Sequence, residues 1–319
     1  MTAPPTLPPQ VWNLLACPHC GGALARGAAA AMEVRCVSCG TDFAAAPSGQ
    51  MDLRLRHPQR RAIDVLLAPP VDALDTRGVQ LGRLPRQSPP PVDVTRVVGP
   101  CHLPNDLRTW FPRAAQPDGA AAEGGGEREP CLDLGCGAQV HKEVCELAGF
   151  EYVGLDYSTP EAMILGDAQA LPFRDGAFAF VLTVAVLEHV PFPLLMMREA
   201  FRVLRPGGKL VGTVAFLEPF HQNSFHHHTH LGTLNALRTA GFRVQHIAPS
   251  GGWPGLVAQA HMGLFPNTPR WLARLLVAPL LALHKLWWMA GRLADPSADE
   301  TRRLLKNSGA ILFLASKDE

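Results

Sequence analysis

Cys131-Leu132-Asp133-Leu134-Gly135-Cys136-Gly137 is the segment that most narrows the folds open to this chain. A short apolar run that carries one acid and closes on two glycines is the pattern of a buried strand turning at once into a helix. Glycine lets the backbone come close to a ligand where a Cβ would block it. Twenty-one residues after Gly135, Asp156 ends a second apolar run, Tyr152-Val153-Gly154-Leu155. An acid at the end of the neighbouring parallel strand is where such sheets offer a carboxylate to ribose hydroxyls. A dinucleotide-binding turn needs a third glycine three residues after the second, and Val140 stands there. Asp133, two residues before Gly135, points instead to a ligand that carries an ammonium group.

Three further segments follow in order: Gly166-Asp167-Ala168-Gln169-Ala170-Leu171-Pro172-Phe173, Leu187-Glu188-His189-Val190, and Val203-Leu204-Arg205-Pro206-Gly207-Gly208-Lys209-Leu210. Each is weak alone. Together with the glycine turn, from about Pro130 to Ala215, they resemble the class I S-adenosylmethionine-dependent methyltransferases, closest to the broad type 11 family. The resemblance departs at Gln139, where the family has its third glycine, and at Ala179, which replaces an Asp common before the fourth strand. It implies S-adenosylmethionine as cofactor and assigns roles position by position. Asp133 would lie near the methionine ammonium, above Gly135, Cys136 and Gly137. Asp156 would hold the ribose with Tyr157 beside it, Asp167 and Ala168 would receive the adenine edge, and Thr183 to Ala185 would flank the methyl group. His189 and His221 are the candidate general bases, with Glu188 next to the first.

Cys17-Pro18-His19-Cys20-Gly21 and Cys36-Val37-Ser38-Cys39-Gly40 are two Cys-x-x-Cys knuckles separated by fifteen residues. That spacing lets two tight turns bring four thiolates around one tetrahedral zinc. Four thiolates close the coordination shell, so the zinc expected on Cys17, Cys20, Cys36 and Cys39 is structural. The surrounding sequence, from Leu14 to Arg54, resembles a Trm112-type zinc ribbon.

These segments predict an α/β chain: a doubly wound, mostly parallel, Rossmann-like methyltransferase sheet with a small N-terminal zinc ribbon and a C-terminal helical insertion. The expected divisions are a ribbon at 12–54, a linker at 55–104 and a catalytic domain at 105–319, interrupted by an insertion at 249–307. Strands are expected at Cys131–Leu134, Tyr152–Leu155, Phe178–Val184, Lys209–Phe216 and Gly309–Ser316. Asn105–Arg113, with Leu107, Trp110 and Phe111 at helical spacing, reads as a short helix over the cofactor cleft. Only ten residues separate Asp156 from Asp167, too few for a full crossover helix. His221, His226, His227, His228 and His230 follow the fifth strand, where doubly wound folds place acceptor-facing loops; Thr229 or Thr233 would cap the next helix.

The insertion holds four of the six tryptophans and the run Trp271–Met289. Pro279 interrupts that run, and only ten consecutive residues lack a basic side chain, against the ~20 apolar residues of a membrane span. A helical hairpin is expected, with no transmembrane span; Trp271, Trp287 and Trp288 flanked by Arg274, Lys285 and Arg292 also suit peripheral membrane association. With 47% apolar and 18% charged residues the chain can bury a large core. Met1–Gln10 lacks the form of a secretory signal, so the expected location is cytoplasmic, extending to the inner face of the membrane. A net charge of +1 and five lysines argue against a polyanionic partner. The leading expectation is therefore methyl transfer to a small-molecule, glycan or lipid-linked acceptor. The alternatives are an rRNA or tRNA base methyltransferase, and a cofactor-binding scaffold with little activity.

Overall fold

The computed structural model describes residues 7–26, 33–54, 76–85, 92, 103–108, 110–115, 128–219, 223–295, 297 and 299–318. Among them, α1 (Pro9–Leu14) leads into a three-stranded antiparallel ribbon of β1 (Leu24–Arg26), β2 (Val34–Cys36) and β3 (Asp42–Phe43). Two short strands, β4 (Met51–Asp52) and β5 (Gln80–Leu81), and the single turn α2 (Asn105–Arg108) precede the main fold. That fold runs β6 (Pro130–Leu134), α3 (Lys142–Leu147), β7 (Glu151–Asp156), β8 (Ile164–Leu165), β9 (Phe178–Val184), α4 (Pro193–Val203) and β10 (Leu204–Ala215). It continues with α5 (His230–Ala240), β11 (Arg243–Pro249), α6 (Gly255–Ala258), α7 (Arg270–Ala294), α8 (Glu300–Lys306) and β12 (Ala310–Ser316).

The main sheet has nine strands in the order β4-β8-β7-β6-β9-β10-β12-β11-β5. All run in one direction except β12, which lies antiparallel between β10 and β11. The chain leaves β6 toward β7 and β8 and then returns to β9 on the other side of β6, so the order reverses between β6 and β9. The crevice at the carboxyl ends of those two strands is where open α/β sheets bind ligands. Both faces of the sheet are covered, which is why its strands read as unbroken apolar runs. One face packs Leu132, Leu134, Val181 and Leu210 against Met196, Met197 and Leu237 of α4 and α5. The other packs Phe180, Phe150, Tyr152 and Leu312 against Leu107 and Phe111.

Four points of the structure bear on these expectations. First, the ribbon is joined directly to the main sheet. Met51–Asp52 pairs in parallel with β8 at the edge of the main sheet, and Val11, Leu15, Cys17 and Cys36 share one apolar core with Leu132, Leu155 and Phe173. Second, most of the expected linker at 55–104, including the basic run after Arg54 and the prolines Pro89–Pro91, lies outside the described residues. Its described part contains β5, which pairs with β11 at the opposite edge. Third, among the described residues of the expected helix Asn105–Arg113 only the turn Asn105–Arg108 is helical, and the residues after it pack on the sheet: Phe111 meets Phe180 edge-on at 5.1 Å and Trp110 packs on His246. Fourth, Pro279 sits inside α7 without breaking it, so the longer arm of the insertion is one helix of 25 residues, packed on the helical segment Gly255–Leu264 that precedes it. By length and composition alone, α7 is long and apolar enough to cross a membrane.

Candidate functional site

The glycine turn is clamped to the neighbouring strand: the amides of Gly135 and Cys136 both donate to the Leu155 carbonyl, at 2.8 and 3.1 Å. Gly135 is required by packing, because a Cβ there would stand 2.3 Å from Val186 Cγ2. Gly137, at φ +50, faces open space, so it is the glycine whose bare backbone a ligand can approach. Gln139 also adopts the left-handed conformation, at φ 57, and its side chain donates to the Glu161 carbonyl. The third glycine of the resembled family thus has a backbone reason, and here an L-residue holds the same shape at a cost of roughly 1–2 kcal/mol.

Asp156, at the end of β7, anchors the crevice. One carboxylate oxygen accepts from the Gly137 amide at 3.0 Å, and the other accepts from Ser158 N, Thr159 N and Thr159 Oγ1. Burial pushes this carboxyl up, but the Ser158, Thr159 and Gly137 donors outweigh it and hold the group below its ordinary value. It stays ionised and partly exposed beside the open turn, as a ribose partner must. Asp167 accepts from the Gln169 amide at 2.8 Å and from its side chain. Gln169 in turn accepts from Phe192 N, tying this segment to the start of α4. Ala168 is partly buried against the sheet core, and Tyr157 is exposed with the Arg54 guanidinium over its ring.

Two of the expected contact residues are buried. Asp133 is 0% exposed; its carboxylate accepts from the Tyr152 hydroxyl at 2.9 Å and faces His141 Nδ1 at 3.2 Å, contacts that brace the glycine turn from behind. Thr183 is also buried, with its hydroxyl shielded from solvent. The exposed end of that strand is Ala185, which takes φ 55 while its amide donates to Thr213. Unstrained alternatives exist for an alanine, and non-glycine residues held at positive φ cluster where a fold is shaped for function. Cys136 is a buried thiol, its ionisation pushed far up by burial and then by the nearby Asp133 and Asp156 charges.

On the acceptor side, Leu187–His189 forms one 3-10 turn after β9. His189 is half-buried there, whereas His221 lies outside the described residues. Glu188 is fully buried, and neither carboxylate oxygen has a hydrogen-bond partner among the described residues. Burial, followed by the charge of Glu218, pushes its carboxyl up to about 7. The histidine loop closes over it, with Phe225 N and His226 N donating to the Glu188 carbonyl and His228 N to that of Ala215. Thr229 caps the following helix by accepting from Gly232 N at 3.0 Å.

Each ribbon knuckle ends on a glycine at positive φ, Gly21 and Gly40, whose amides donate to the Cys17 and Cys36 carbonyls. The four Sγ atoms lie within 4.8 Å of one another, with 3.8 Å between Cys17 and Cys39 and 3.5 Å between Cys20 and Cys36. Sulfurs about 2.3 Å from a tetrahedral zinc stand about 3.8 Å apart, so this donor set fits that ion. Amide donors from Gly22 and Cys39 point at two of the sulfurs. Among the described residues, no comparable grouping of metal-binding side chains involves the histidine loop.

The ribbon also reaches the crevice through residues that sequence reasoning missed. Buried Gln50 donates from Nε2 to the carbonyls of Pro160 and Ala162, both at 2.7 Å, and to Thr159 at 3.2 Å. Arg54 donates to the Tyr157 carbonyl at 2.9 Å while paired with Asp52. The segment that follows Asp156 is thus held in place by the ribbon's tail.

A family model described as a methyltransferase domain matches residues 132–212. An uncharacterized methyltransferase of Mycobacterium marinum is 31% identical over 179 residues, covering 50% of this chain and 68% of its own length. A demethylmenaquinone methyltransferase of Renibacterium salmoninarum is 37% identical over 91 residues, 25% of this chain and 38% of that protein. This chain therefore spans well under half of that relative. Among solved structures, the complex of the Haloferax volcanii Trm112 methyltransferase activator with a putative methyltransferase aligns at 17% identity and a TM-score of 0.40. That alignment covers 60% of this chain and 84% of the other.

Proposed function

We infer that this chain, which belongs to the methyltransferase-domain family, transfers the methyl group of S-adenosylmethionine to a small-molecule acceptor. One observation carries the reading: an ionised, partly exposed Asp156 hydrogen-bonded to the amide of Gly137, itself open to the crevice. That arrangement offers a carboxylate for ribose hydroxyls and a bare turn for the methionine end. When bound, S-adenosylmethionine supplies an electrophilic methyl group on sulfur. What the chain must add is positioning and the exclusion of water. Asp167, Ala168 and Gln169 suit the adenine edge, Ala185 suits the methyl-transfer face, and His189 is the candidate proton acceptor within this face. The four cysteines support a structural zinc that steadies the ribbon and, through Gln50, the segment after Asp156.

Acceptors that are apolar or lipid-linked are the finer reading, supported by the apolar insertion beside the acceptor side of the crevice. Modification of rRNA or tRNA bases is the rival, and the near-zero net charge gives no electrostatic footprint for it. Calorimetry with S-adenosylhomocysteine tests the reading. Asp156→Ala removes charge-assisted hydrogen bonds worth roughly 1.5–3 kcal/mol each, so affinity should fall at least about tenfold. A folded variant with undiminished affinity would refute the assignment, and tighter binding of NADH would replace it.

A further inference from the structure

The helix α7 is joined to the rest of the molecule by one narrow stripe. Ala273 and Val277 are buried, Leu281, His284 and Trp288 are half-buried, and these five recur at intervals of three and four residues along one side. Trp288 lies between the guanidinium groups of Arg292 and Arg303, at 5.2 and 4.3 Å. Everything on the opposite side faces outward. Trp271 is 67% exposed, Trp287 79% and Leu293 87%, and Leu275, Leu283 and Leu286 stand between them. A helix of 25 residues presents this face over roughly 37 Å. Ordinary monomers do not expose apolar surface of that extent without an occupant.

We propose that the occupant is the headgroup–acyl boundary of an anionic lipid surface, on which α7 lies parallel to the plane. The charge pattern selects lipid over protein. No acidic residue occurs from Arg270 to Ala294. At 100° per residue, Arg274, Lys285 and Arg292 fall along one flank, between the outward apolar arc and the protein body. That is the position of basic side chains on interfacial helices, with tryptophans at the boundary and leucines in the acyl edge. The anchoring stripe also separates lying from crossing. A spanning helix would have to surrender the contacts of Ala273, Val277 and Trp288, and the chain entering the insertion is tied to the chain leaving it. Gly255 N donates to the Asn307 carbonyl and Gly309 N to that of Trp253, each at 2.8 Å.

The placement has a consequence for the reaction, and this part rests on the methyltransferase reading. The segment leading into α7 packs on the chain just past β10, where Trp253 donates to Glu218 at 2.6 Å and Gly255 and Gly263 meet Leu217 and Pro219. Lipid contact would therefore sit beside the acceptor side of the crevice and admit acceptors that remain in the membrane.

The test uses the full chain, vesicles of phosphatidylcholine alone or mixed with phosphatidylglycerol, and sedimentation. The wild type should pellet with the mixed vesicles and show blue-shifted tryptophan emission. Trp287→Ser combined with Leu283→Ser should weaken binding about tenfold, as should Lys285→Glu, with the melting temperature and S-adenosylhomocysteine affinity unchanged. A wild type that stays in the supernatant at both compositions overturns the proposal. So does a self-association in ultracentrifugation that the same substitutions abolish, which would make a second copy the occupant. Loss of S-adenosylhomocysteine binding with vesicle binding intact would strike the reaction and leave the lipid surface standing.

Discussion

Glu188 and His228 should make the stability of this protein respond to pH in two opposite ways that nearly cancel. Glu188 is fully buried, and burial, followed by the charge of Glu218, outweighs nearby backbone amides to push its carboxyl from 4.5 up to about 7. The folded state then keeps a proton that the unfolded chain releases. Its contribution is fully present below pH 4.5 and is lost as pH rises to about 7. His228 is driven the other way, chiefly by burial and then by the charge of His226, from 6.5 down to about 4. Its contribution is present above pH 6.5 and is lost as pH falls toward 4. Moving the carboxyl from 4.5 to about 7, or the imidazole from 6.5 to about 4, corresponds to roughly 3 kcal/mol. Between pH 4.5 and 6.5 the two slopes oppose each other, and the wild type should be nearly flat in this respect. Urea unfolding of wild type and Glu188→Gln across pH 4 to 8 separates them. The amide cannot ionise, so the variant should gain about 3 kcal/mol relative to wild type as pH rises from 4.5 to 7. A wild-type-minus-variant difference that stays constant over that range would refute a neutral buried Glu188.

Two further outcomes are expected. Gln50→Ala leaves the Pro160 and Ala162 carbonyls without their donor, at roughly 1–3 kcal/mol each; melting temperature should fall, and calorimetry should show S-adenosylhomocysteine binding weakened several-fold because the same segment fixes Asp156. Cys36→Ser should abolish the stoichiometric zinc measured by elemental analysis and lower the melting temperature of the whole chain, since Cys36 packs in the same core as the central strands.

What the sequence made legible follows from where the information is local. The apolar runs before Asp133, Asp156 and Val184 define strands because their side chains need cover on both faces, and β6, β7 and β9 form there. The knuckles were legible because Cys-x-x-Cys-Gly encodes its own turn. Pairing across long gaps was not. Nothing in Met51-Asp52 or Gln80-Leu81 announces an edge strand, since two residues carry no period and their partners lie more than a hundred residues away. The direction of a side chain was equally hidden. Asp133 reads as a ligand contact from spacing, and no motif announces the Tyr152 and His141 groups that meet its carboxylate from adjacent elements. At Gln139 the sequence departs from the resembled family's glycine, yet the backbone keeps the left-handed turn.

The edge strands also explain why the N-terminal region is built into the catalytic sheet. An exposed strand edge is a template for unwanted pairing, and a seven-stranded sheet from β8 to β11 would present two. Met51–Asp52 covers β8 on one side and Gln80–Leu81 covers β11 on the other. The ribbon is fastened at the first of these edges by Leu15 against Phe173 and by the Ala16 amide on the Pro172 carbonyl. Its metal site, β4, Gln50 and the segment after Asp156 are therefore one mechanical series. Disturbance at the cysteines has a direct route through Gln50 and Arg54 to the segment after Asp156, the residue proposed to hold the ribose.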